Sequence, residues 1–126
     1  MSKPATMIGI YLTSDLFFSS RVTSLAREHG WPLEMAASID AVRGKIAERE
    51  LVLLIIDLGK FAGQVSELLA ELRPSCAEMH VVAYGPHVNE TALEMARQAG
   101  CDEVLSQGQF SQLAGQILQR CFETDA

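Results

Sequence analysis

The stretch "LVLLIIDLGK", residues 51–60, decides how this chain reads. Six apolar residues lead to one acid, Asp57, where the run breaks. A short continuous apolar run bounded by a loop is the pattern of a strand covered on both faces, as in the middle of a parallel sheet. The acid at its end is either a chemical group presented at the sheet edge or the first polar residue of a loop.

On either side of this run, four more short apolar runs alternate with amphipathic segments. "MIGIYL" (7–12) reads as a buried strand, and "PLEMAA" (32–37) as a weaker one whose proline and alternation suit a sheet edge. "MHVVAY" (79–84) is a fourth strand, closed by Gly85-Pro86, and "DEVLS" (102–106) a fifth. Between them lie helical patterns. Residues 14–30 open on capping residues, place Phe18, Val22, Leu25 and Ala26 on one face and stop at Gly30. Ser38 can cap residues 39–50, where Ile39, Val42 and Ile46 align and Gly44 lowers the propensity. In residues 63–73, Val65, Leu68, Leu69 and Leu72 fall at i, i+3, i+4 and i+7. Asn89 caps a helix ending at Gly100, and residues 109–122 turn Phe110, Leu113, Ala114, Ile117, Leu118 and Cys121 inward.

Strands that alternate with helices over short loops imply an α/β fold with a parallel sheet and helices on both faces. With five strands the expectation is the flavodoxin-like, doubly wound arrangement in order 2-1-3-4-5, as one domain over residues 1–126 with its core at about 7–122. Sites in such sheets lie beyond the carboxyl ends of the strands. That rule selects Thr13 and Ser14 after the first strand, Asp57 after the third, Gly85 after the fourth, and Ser106 and Gln107 after the fifth.

Bulk properties narrow the function classes. The 126 residues are 48% hydrophobic and 21% charged, with a net charge of −6, and the ten Lys and Arg are scattered from Lys3 to Arg120. Nucleic-acid binding draws most of its affinity from a basic patch, so it is not expected. Cys76, Cys101 and Cys121 are odd in number and form no CxxC, which suits apolar fillers in a reducing cytoplasm. No apolar run approaches the roughly 20 residues of a membrane helix, and "MSKPAT" is not followed by a signal-peptide core.

A phosphoryl-accepting aspartate needs a divalent cation, further carboxylates to hold it, and a donor for the transferred oxygens. Here Thr13 and Ser14 offer hydroxyls, Gly85 no side chain and Gln107 a neutral amide; Asp15 reads as a first-turn residue of the helix that follows. No GxGxxG or GxxxxGK[ST] supplies a phosphate cradle, the "GKFAG" after Asp57 reads as a flexible loop, and "TSD" is too short for a flavin-phosphate loop. His29 falls in a helix C-terminal turn, His80 starts a strand, and His87 is alone in its loop, without a nucleophile at motif spacing.

The chain resembles the receiver domain of bacterial response regulators over residues 7–121. "ELVLLIIDL" followed by "ELLAELR" is similar to that family's third strand, phospho-accepting aspartate and third helix. "NETALEMARQAGCDEVLSQ" is similar to its fourth helix and fifth strand. The resemblance makes Asp57 the phospho-acceptor position and Thr13 and Ser14 the positions of the acidic metal-binding pair. It puts Gly85 where a Thr or Ser closes on the phosphate, Gln107 at the lysine, Gly108 at the proline after it, Val104 at the switching aromatic and Phe61 at the loop proline. It therefore implies the atypical, pseudo-receiver branch: a cytoplasmic, non-enzymatic two-component signalling module that binds proteins without Mg-dependent phosphorylation. No cofactor, metal, nucleic acid or membrane is expected to take part. The implied partners are a histidine kinase or another signalling protein, or a second copy, met on the face of the fourth helix, fifth strand and fifth helix. Two alternatives stay open: phosphorylation of Asp57, with Mg and Asp15 as a substitute ligand, and a small-ligand site built on Thr13, Ser14 and Gln107.

Overall fold

A computed structural model describes residues 6–47 and 49–123. Five strands, β1 (Thr6–Leu12), β2 (Leu33–Ala36), β3 (Arg49–Asp57), β4 (His80–Gly85) and β5 (Glu103–Ser106), form one sheet in the order β2-β1-β3-β4-β5. Every pairing is parallel. The register of β1 on β3 shifts between Ile8 and Gly9. The opening run is thus the central strand, and "PLEMAA" yields β2 at an edge, as its proline suggests.

Helices cover both faces. On one side lie α1 (Leu16–Glu28) and α6 (Gln107–Phe122), packed over Tyr11, Leu53, Ile55, Val82 and Tyr84. On the other lie α2 (Ile39–Lys45), α3 (Leu58–Phe61), α4 (Val65–Leu72) and α5 (Glu90–Ala99), packed over Ile8, Ile10, Leu12, Leu54, Ile56, Val81 and Ala83. The two-residue alternation of strand side chains feeds both layers from the same strands, which is why β3 has to be apolar throughout. The face expected from the fourth and fifth helices is α5–β5–α6 in this numbering.

The structure corrects several expectations. "GKFAG" is not a loop: α3 starts at once after Asp57 and continues through a 3-10 turn, Ala62–Gln64, into α4. Buried Leu58 and Phe61 anchor it. The second helix ends at Lys45 because the chain must turn to begin β3 at Arg49. Asp15 is the N-cap of α1, not a first-turn residue; its side chain accepts from the Phe18 N–H. Gln107 and Gly108 open α6, because Ser106 caps that helix in a reciprocal box with Gln109. Phe122, beside the expected Cys121, is the buried residue at the end of α6. The cysteines are half-buried and free; burial raises the Cys101 thiol to about 11 and also raises that of Cys121.

Candidate functional site

Three strand ends meet at the carboxyl edge. β1 delivers Thr13, wholly buried, one residue past the strand. β3 ends in Asp57, and the register places Leu12 beside Ile56 and Asp57 beside Tyr84. The Thr13 hydroxyl donates to Asp57 Oδ2 at 2.7 Å and accepts from the Asp15 N–H at 3.0 Å. The other carboxylate oxygen, Oδ1, accepts from the Gly59 N–H at 2.8 Å, which makes Asp57 the N-cap of α3. Both oxygens are thus engaged by the chain itself. A hydroxyl-to-carboxylate bond of this kind contributes about 1.5–3 kcal/mol. Here it ties the end of β1 to the end of β3.

The remaining expected positions are not gathered onto that carboxylate. Ser14 is exposed, and the Asp15 carboxylate is committed to its cap. Gly85 is buried, and the space above it is filled: a Cβ there would stand 3.2 Å from Leu58 Cβ. The start of α3 thus lies where a Thr or Ser side chain would project. Gln107 is exposed at the first turn of α6, and among the described residues it makes no hydrogen bond to Asp57. Val104 is half-buried against the α5 layer, and Phe61, at the loop-proline position, is buried. His87 is exposed; His29 caps the end of α1 through Leu25 O and stacks on Trp31; His80 Nε2 lies 2.6 Å from Glu103 Oε2.

The donor set does not fit magnesium. That ion wants an octahedral shell that includes one or two carboxylates and dehydrates reluctantly. Here the one carboxylate at the centre already accepts two hydrogen bonds, and the neighbouring ligand position is a hydroxyl whose proton points at it. Among the described residues, no three His, Cys, Asp or Glu side chains converge as a metal site.

Sequence reasoning missed the layer beneath. Tyr11 and Tyr84, both buried, share a hydroxyl–hydroxyl hydrogen bond of 2.6 Å across the intervening β3. Tyr84 stacks on Phe110 with centroids 4.5 Å apart, and Phe18 leans on both. Burial pushes the Tyr84 phenol up to about 12, with the Asp57 charge acting in the same direction and the bond from Tyr11 opposing. Tyr11 is raised as well, first by burial and then by its bond to Tyr84. A signal was present in the sequence: the only two tyrosines of the chain both fall inside apolar strand runs, "MIGIYL" and "MHVVAY".

A parallel sheet in this order, with an acid ending its central strand and helices on both sides, defines an α/β receiver-like architecture. The chain is similar to a response regulator from Thermotoga maritima, at 11% identity and a TM-score of 0.71, covering 96% of this chain and 100% of that one. It is similar to a two-component response regulator from Clostridium difficile, at 16% identity and 0.73, covering 94% and 97%. It is also similar to HP1043, an orphan response regulator of H. pylori, at 10% identity and 0.68, covering 94% and 95%. No protein-family model matches the chain, and no curated protein matches it. The fold is that of response-regulator receiver domains, the flavodoxin-like fold expected from the sequence. No helix among the described residues is long and apolar enough to cross a membrane.

Proposed function

We propose that this chain is a pseudo-receiver: a cytoplasmic, non-enzymatic signalling module that works through protein contacts and does not use Mg-dependent phosphorylation. One observation carries the reading. The Thr13 hydroxyl occupies Asp57 Oδ2, where a phospho-accepting carboxylate needs a cation and a free oxygen. The filled space above Gly85 and the neutral amide of Gln107 support it, since nothing there would hold a transferred phosphoryl group. In this reading Asp57 is a structural residue that starts α3, and a histidine kinase or another signalling protein is the partner the fold suggests.

Beryllofluoride with Mg²⁺ tests it. The amide resonances of residues 13–15 and 57–59 are expected to stay in place, because the mimic finds no cation bridge. Asp57-dependent shifts that saturate with Mg²⁺ would instead support the phospho-acceptor reading.

A further inference from the structure

We propose that the α1–α6 layer carries a self-complementary surface on which a second copy of this chain docks, α1 against antiparallel α1. This inference is independent of whether Asp57 accepts phosphate. It rests on charge.

The chain carries a net charge of −6, but little of its acid lies on this layer. The opposite layer carries Asp40 on α2, Glu67 and Glu71 on α4, and Glu90 and Glu94 on α5, set among Arg43, Lys45 and Arg97, and Arg43 and Arg97 are already paired within that layer. α6 has no acid in its sixteen residues, and its outer face is set with glutamines. On α1 the only acid is Glu28. This layer therefore presents few carboxylates to a second copy.

The outer stripe of α1 is Phe17, Arg21, Ser24 and Glu28, at helical spacing and all exposed. Among the described residues, Arg21 and Glu28 have no ion-pair partner. They lie seven residues apart, on either side of a midpoint between Ser24 and Leu25. With about 1.5 Å of rise per residue, each stands about 5 Å from that midpoint. A two-fold axis there sets Arg21 of each copy against Glu28 of the other, so the pairing closes on itself and stops at a dimer.

Shape agrees with charge. Small Ser24 lies at the axis, and beside it a groove of about 330 Å³ runs between α1 and α6, kept open by Ser111, Ala114 and Gly115. The same axis carries Phe17, 88% exposed, toward the turn after α1 of the other copy, at His29–Pro32. Phe17 is the most exposed large apolar side chain among the described residues, and this contact covers it. The α5 face differs: exposed Met95 is flanked by Glu90 and Glu94, and Arg97, seven residues from Glu90, is already held by Glu94.

Sedimentation of the full chain up to roughly 1 mM tests the proposal, a range suited to an interface at the small end of specific contacts. The wild type is expected to dimerise reversibly, and more weakly at high salt. Arg21→Glu alone and Glu28→Arg alone are each expected to weaken the dimer about tenfold or more, because symmetry turns two attractive pairs into two repulsive ones. The double variant Arg21→Glu/Glu28→Arg exchanges the charges and is expected to restore wild-type association, and Met95→Glu to leave it unchanged. A wild type that stays monomeric, a double variant no better than the singles, or loss of the dimer in Met95→Glu would each overturn the proposal.

Discussion

Thr13 is the residue on which the site turns. Its hydroxyl accepts from one backbone N–H and donates to the Asp57 carboxylate, so one buried side chain joins the turn after β1 to the end of β3. Thr13→Val keeps the shape and removes both bonds. The Asp15 N–H and one carboxylate oxygen then lose their partner, and the expected cost is about 2 kcal/mol, read from urea denaturation. An unchanged midpoint would mean that the bond contributes nothing and that Asp57 is available for other work. Gly85 makes the complementary point. It resembles a deleted functional group in the sequence, but in the folded chain it is the seat of Leu58.

At the scale of elements, α3 distinguishes this site from the open loop that the sequence suggested. Leu58 is buried against Gly85, in the cluster that also holds the α5 residue Leu93, and the Asp57 carboxylate caps the turn that presents it. Leu58→Ala is expected to cost about 2–5 kcal/mol. The exposed Lys60→Ala in the same turn should stay within about 0.5 kcal/mol, as surface changes usually do; equal effects would show that α3 is not anchored by its core residue. The strands were legible as short apolar runs, their order from the regular alternation with helices, and the inward faces of α1, α4 and α6 because each follows a period of 3.6. α3 was not, because four residues hold barely one helical turn and local propensity cannot announce it. "GKFAG" carries two glycines and suggested a loop, yet tertiary burial of Leu58 and Phe61 overrode that preference. The early end of α2 was hidden for a related reason: its apolar period runs on through Ile46 toward a strand that competes for the same residues. The carboxyl-end rule pointed to the strand ends where Thr13 and Asp57 meet. What they do to one another was not legible, since the pairing of Thr13 with Asp57 spans 44 residues of sequence.

At the scale of the molecule, the sheet is a sandwich with two unlike sides. The α2–α5 side is aliphatic apart from Phe61; the α1–α6 side holds the aromatic cluster around the only two tyrosines of the chain. That cluster sets an alkaline limit on stability. Tyr11 and Tyr84 titrate as a coupled pair with affinities for their protons raised above the unfolded value of 10.0. Between pH 10 and about 12 the unfolded chain releases protons that the folded chain keeps, so stability is complete below 10 and falls as pH rises through that window. Phenolate absorbance is expected to be absent from the native protein at pH 10.5 and to appear only together with unfolding. Tyr84→Phe should flatten this slope. Phenolate forming near pH 10 in the folded chain would contradict the buried pair.

The claim that most of this depends on is that the Asp57 carboxylate is held by the chain and not available to a cation and a phosphoryl group. Intact-mass spectrometry after incubation with acetyl phosphate and Mg²⁺ measures that directly. The account predicts an unmodified chain, alike in wild type and Asp57→Asn. A mass increase of one phosphoryl group in the wild type, absent from Asp57→Asn, would contradict it.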